Sequence, residues 1–208
     1  MRIRFLTSII SCSLGNILEW YDFGLFTIFS TLFGRLFFPT ENPKVALIAT
    51  FGIFAIGFLC RPIGALLFGY LGDKRGRAIT LRLSMLVIAL PTLLIGILPT
   101  YAQAGVLAPI LLTLIRMIQG ISIGGEYSGN LIYLAESAPT DYRATLTSCA
   151  SMGANTGILL ASLVGIITNS MLSIETLETI GWRIPYLISG IFCLFIFEMN
   201  FCSCFIAN

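Results

Sequence analysis

The chain has 208 residues, 57% of them hydrophobic and 11% charged, with a formal net charge of +2 and a mean hydropathy of +0.94. Soluble domains run to roughly 45–50% apolar and about 25% charged residues, so this balance points to a membrane protein and leaves no room for a separate soluble domain. The small net charge gives no sign of nucleic-acid binding. With no histidine, and with Cys12, Cys60, Cys149, Cys193, Cys202 and Cys204 outside zinc-ligand spacing, no metal or cofactor site is expected and the cysteines read as small apolar fillers.

The N-terminus, MRIRFLTSIISCSLG, imitates a secretory signal, with Arg2 and Arg4 ahead of an apolar run. The run continues to about Phe38, which fits an uncleaved first membrane helix better. A bilayer core takes about 20 mainly apolar residues per helix. Six stretches meet that need, at approximately 11–36, 45–71, 79–98, 106–134, 142–168 and 184–204. Short polar breaks separate them, among them GDKRGR after the second. Arg2, Arg4, Lys74, Arg75, Arg77, Arg82 and Arg143 fall on the side of the N-terminus, against Arg35, Lys44 and Arg183 opposite. By the positive-inside rule both termini are expected in the cytoplasm.

Small residues let membrane helices approach each other. The fifth stretch carries a ladder of Gly153, Gly157, Ala161 and Gly165; Gly120 with Gly124, Gly125 with Gly129 and Ala65 with Gly69 offer the same spacing. Tight packing accounts for nearly all of these glycines.

Five charges interrupt the apolar stretches: Glu19, Asp22, Arg61, Arg116 and Glu126. Charge at membrane depth is expensive and marks a functional site facing protein or a wet cavity. Counted along the helices, Glu19, Arg61 and Glu126, with Asp22 slightly deeper, are expected in one layer, roughly 12–16 Å from the cytoplasmic face. At 100° per residue, Arg116, Gln119, Ile123, Glu126 and Asn130 share one stripe, and Asn16 shares a face with Glu19. These stripes are expected to line a cavity, with charge pairing for packing alone the rival reading. Three acids against two arginines leave one acid without a permanent partner, and a buried carboxylate can take up and release a proton. Glu19 is the first choice for that role, with Asp22 positioning Arg61. An arginine is the natural partner of a solute carboxylate. A rival motif, G-x-S-x-G over Gly120, Ser122 and Gly124, would suggest a serine nucleophile, but no histidine exists to activate it.

Four ordered motifs resemble the metabolite:proton symporters of the major facilitator superfamily, and among them the proline/betaine transporters. They are GNILEWYDFGLF, FAIGFLCRPIGALLFGYLGDKRGR, RMIQGISIGGEYSGNLIYLAE and GWRIPYL. The resemblance implies an all-α membrane protein, the six-transmembrane-helix N-terminal half of a twelve-helix fold in which two halves alternate access to a central site. Glu19, Asp22, Arg61, Arg116, Gln119 and Glu126 are the implied proton- and solute-coupling residues. Gly69, Asp73, Arg75, Gly76 and Arg77 match a cytoplasmic signature loop tied to conformational switching. The implied partners are a small zwitterionic or carboxylate solute, a proton as coupling ion, membrane lipid and a C-terminal half. The implied location is the cell inner membrane. The stretch IFEMNFCSCFIAN departs from the family, which closes its sixth helix with basic residues. That departure suggests a truncated or frameshifted product, and so a non-transporting remnant or a half-transporter needing a partner as the alternative function.

Overall fold

The computed structural model describes residues 2–137 and 142–205. Side chains are described throughout except at 2–12, 77–78, 81–82, 126–128, 130–131, 133–134, 136–137, 146, 149–150 and 199–205. The elements are α1 (Arg2–Ile28), α2 (Ser30–Phe37), α3 (Pro43–Arg75), α4 (Arg77–Ile97), α5 (Tyr101–Ala104), α6 (Leu107–Ser137), α7 (Arg143–Met171), α8 (Ile174–Thr176) and, after a π-helical turn at Leu177–Gly181, α9 (Arg183–Phe205). Among the described residues there is no strand.

Local chemistry sets the helix ends. The first apolar stretch is interrupted at Phe29, yet its N–H still donates to Leu25 O at 2.9 Å and its carbonyl accepts from Phe33 N–H at 2.8 Å. The path of the helix therefore carries on into α2. Helix α3 opens with Asn42 accepting from Lys44 N–H at 3.0 Å and with Pro43 at its first position, where a missing N–H costs nothing.

The break expected at GDKRGR is far shorter than the sequence suggests. Helix α3 runs through Arg75, so Gly69, Asp73 and Arg75 are helical and not in a loop. Only Gly76 separates α3 from α4, with φ +93 and its N–H bonded to Gly72 O at 3.0 Å. A positive φ of this kind favours glycine because it has no Cβ to clash. The side chain of Arg77 lies outside the described residues.

The helices pack chiefly as α3 on α6, α1 on α7 and α4 on α9, with α4 also against α6. Glycine makes the first crossing possible. Gly120 lies against the carbonyl of Gly57, Gly124 against that of Arg61 and Gly64 against that of Ile121, each closer than a Cβ would allow. The ladder of α7 meets α1 in the same way, with Gly157 against Ile17 O, Ala161 against Gly24 and Gly165 against Ile28. The expected Ala65–Gly69 seam is not used: Ala65 is exposed, and nothing approaches Gly69. Gly57 and Gly64, two turns apart, take its place because they lie on the side of α3 turned to α6.

Outside the bundle the pattern suits lipid. Leu59 (75% exposed), Leu66 (77%) and Ile166 (68%) face outward, while the core holds Phe26, Phe33, Phe37, Trp182 and Tyr186 at 0%. Trp182 meets Phe33 edge-on at 5.3 Å between ring centroids, and the contacts continue through Phe26, tilted against Phe33 and stacked on Phe54. Among the described residues, Pro43–Arg75, Leu107–Gly125, Ser151–Met171 and Ile174–Glu198 are long and apolar enough to cross a membrane, and Leu83–Ile97 is a shorter apolar helix. In α1, side chains are described only from Ser13 onward.

Candidate functional site: a buried charge network

The site forms where α1, α4, α6 and α9 meet. From α6, Arg116 Nη1 donates to Asp22 Oδ2 of α1 at 2.6 Å, with both side chains nearly inaccessible. The ring of Phe26 lies 4.0 Å from the Arg116 guanidinium carbon, and Nη2 reaches the Tyr186 hydroxyl of α9 at 3.5 Å. From α4, Thr92 Oγ1 lies 3.5 Å from Asp22 Oδ1 and 3.0 Å from Ile88 O, and it accepts from Gln119 Nε2 at 2.9 Å. A hydroxyl has one proton, so Thr92 serves Ile88 or Asp22 at any moment. The shorter bond to Ile88 is the better made.

The polar stripe of α6 thus faces neighbouring helices in this conformation. Arg116, Gln119 and Ile123 are each 2% exposed or less. The side chains of Glu126 and Asn130, expected on the same stripe, lie outside the described residues. Some capacity is left over at the centre: Arg116 Nε and Gln119 Oε1 are buried with no hydrogen-bond partner. Such atoms cost free energy unless another state of the protein uses them.

A second cluster lies on the α3 side. Asn16 and Glu19 are 1% exposed, and Glu19 attracts Arg61 electrostatically. The Arg61 guanidinium lies 3.9 Å from the centroid of Phe58, 4.6 Å from Phe23 and 5.9 Å from Trp20. Its Nε and Nη2 have no hydrogen-bond partner. The expectation that Asp22 positions Arg61 is therefore corrected: Asp22 is committed to Arg116, and Glu19 is the acid that acts on Arg61. The two acids stand three positions apart on α1, which turns them toward different partner helices.

Sequence reasoning missed Thr92, Tyr186 and the rings around Arg61. Tyr186 stood inside GWRIPYL, and a scan of apolar stretches for hydroxyls would have found Thr92; nothing in the sequence paired Phe58 with Trp20. The G-x-S-x-G match is packing. Ser122 is 0% exposed and donates to Ser84 O of α4 at 2.6 Å, while Gly120 and Gly124 press on α3. A groove of about 440 Å³ on the outer side of α7, lined by Ile28, Ser162, Gly165, Ile166, Asn169 and Ser170, lies apart from both charge clusters.

The family comparison decides what bundle this is. The sugar (and other) transporter family matches residues 8–204, nearly the whole chain. The chain belongs to that family. Among curated relatives of this family member, a putative proline/betaine transporter of Staphylococcus aureus strain COL is 41% identical over 193 residues, covering 91% of this chain and 41% of the relative. The proline/betaine transporters of Salmonella typhimurium and Escherichia coli K12 are 40% and 38% identical over 182 residues, each covering 88% of this chain and 36% of the relative. The chain thus spans well under half the length of these relatives. Among solved structures, the E. coli xylose transporter XylE in a partially occluded inward open conformation superposes with a TM-score of 0.84 at 20% identity, over 95% of this chain and 48% of that one. XylE bound to 6-bromo-6-deoxy-D-glucose gives 0.85 at 19% identity. The fold is accordingly the six-helix N-terminal half of the major facilitator architecture, in a multi-pass membrane protein whose relatives are transporters and not enzymes.

Proposed function

We propose that the chain serves proton-coupled symport of a small zwitterionic metabolite, with proline or glycine betaine as the leading solutes. The observation that carries this reading is the pair of buried acid–arginine clusters, Asp22 with Arg116 and Glu19 with Arg61, on helices that converge within one membrane-embedded bundle. A zwitterion offers a carboxylate for an arginine fork and a cation for a carboxylate. The buried, unpartnered Arg116 Nε, Gln119 Oε1 and Arg61 Nε and Nη2 supply polar capacity for a solute and for a second conformation. Identity of about 40% to proline/betaine transporters supports the same solute class.

In this reading Glu19 exchanges the coupling proton while Asp22 and Arg116 tie α1 to α6. Glu126 belongs to the same coupling set. Gly76 and its flanking charges act as the cytoplasmic hinge between α3 and α4, with both termini cytoplasmic and the chain in the cell inner membrane. The proton is the only coupling ion invoked, and no cofactor takes part. Uptake of labelled proline or glycine betaine, with and without a protonophore, is the direct test. Uptake that survives the protonophore would remove the symport claim.

A second reading rests on length. In this reading the six-helix bundle, which matches 41% of the S. aureus relative, works with a complementary six-helix half, on the same polypeptide or on another. Uptake by cells expressing this chain alone would overturn that reading. Uptake only on co-expression with the C-terminal half of the relative would support it.

A further inference from the structure

The rings around Arg61 are arranged as a cation site. Trp20 and Phe23 come from α1 and Phe58 from α3, and their centroids lie between 3.9 and 5.9 Å from the guanidinium carbon. Ring faces attract cations, and clusters of them suit quaternary ammonium groups in particular. A guanidinium is a poor permanent occupant of such a site. Its charge is met by the rings and by Glu19, but Nε and Nη2 find no acceptor. A buried donor left unmade is costly. A trimethylammonium group has no donors to satisfy, so the same rings suit it at no such cost, and Glu19, released from the guanidinium, can take up the coupling proton.

We infer that Trp20, Phe23 and Phe58 form the seat of a quaternary ammonium on the solute, held in this conformation by the guanidinium of Arg61, which leaves it to bind the solute's carboxylate. The inference rests on the zwitterion reading above and assigns its cationic end. Both halves of the exchange improve. The ring cluster trades an unsatisfied donor group for one with no donors, and the arginine fork gains a bidentate acceptor. Local structure permits the move. Phe58 is 37% exposed and Arg61 is only half buried, so the cluster is not sealed within the bundle. Pro62 has no N–H to offer the Phe58 carbonyl, so α3 lacks one internal hydrogen bond at the turn carrying both residues.

The test uses the full 208-residue chain in lipid nanodiscs, with labelled glycine betaine and labelled proline as probes. The competitor is 3,3-dimethylbutanoate, which has the shape of glycine betaine with a neutral carbon in place of the ammonium nitrogen. Glycine betaine is expected to bind at least about ten-fold more tightly than the neutral isostere. Phe58→Leu should shrink that ratio to within about two-fold, and Phe58→Tyr, which restores a ring face, should recover most of it. The ratio is taken within each variant, so a loss of folded protein cancels. An isostere that competes as well as glycine betaine, or a ratio unmoved by Phe58→Leu, overturns the cation seat while leaving zwitterion binding in place. If neither labelled solute binds, with or without the C-terminal half of the S. aureus relative supplied alongside, the zwitterion reading itself falls, and the cation seat with it.

Discussion

Arg116 Nη1 and Asp22 Oδ2 lie 2.6 Å apart although they stand 94 positions apart in sequence, and this bond joins α6 to α1 at the centre of the bundle. Each charge is there because the other is. A buried ion pair contributes little net stability against an apolar pair of the same size, but removing one partner leaves the other charge stranded. The pair therefore behaves as a lock between two helices.

Asp22→Asn should cost about 3–5 kcal/mol, because Arg116 stays charged and buried. Arg116→Gln alone should cost a similar amount, and the double variant should be more stable than either single one. Thermal unfolding of the purified chain in detergent measures all three. Additive losses in the double variant would show that the two side chains do not depend on each other.

The crossing of α3 and α6 makes a sharper demand. A methyl group on Gly64 would run into the carbonyl of Ile121, whereas nothing lies within 4 Å of the position a Cβ would take on Gly69. Gly64→Ala should therefore lower the unfolding midpoint strongly or prevent folding. Gly69→Ala should be neutral or slightly stabilising, since alanine is the better helix former by roughly 1 kcal/mol. Equal effects at the two positions would mean that the helices do not cross where α3 and α6 meet here.

Ser122→Ala should remove one buried bond, to Ser84 O at 2.6 Å, and cost about 1 kcal/mol. The unaltered chain should not react with a fluorophosphonate probe, since Ser122 is 0% exposed and the protein has no histidine. Labelling at Ser122 would revive the nucleophile that the G-x-S-x-G spacing suggests.

How far the sequence could be read depended on whether one helix or two were needed. Periodicity within a single helix put Arg116 and Gln119 on one face, and both are buried together at 2% and 1% exposure. Pairings between helices were not legible. The sequence leads to Asp22 as the partner of Arg61, yet rotation of α1 against its neighbours gives Asp22 to Arg116 and Glu19 to Arg61. The GDKRGR run looked like a loop by composition. Helical bonding continues through Arg75 because charged residues solvate a helix end as readily as a loop, and only Gly76 needs a conformation that other residues avoid. The seam on α3 was misplaced for a related reason. Small residues at 65 and 69 have the right spacing, but spacing does not say which side of the helix meets a partner.

The two acids of α1 make separable predictions about the proton. In symport the solute and the proton bind together, so by linkage the affinity for solute should rise as pH falls. Glu19 attracts Arg61 at the ring cluster where the solute cation is proposed to sit, whereas Asp22 is held by Arg116. Glu19→Gln fixes the side chain in a neutral form, so glycine betaine binding by that variant should no longer respond to pH. In cells, proton-driven accumulation should be abolished while exchange of internal for external solute persists, because exchange needs no net proton movement. Asp22→Asn disturbs the lock between α1 and α6 and should weaken binding at every pH while leaving its slope. Titrating solute affinity against pH for the unaltered chain and both variants separates the cases. A slope retained in Glu19→Gln and lost in Asp22→Asn would put the proton on Asp22 and make the Asp22–Arg116 pair the coupling site.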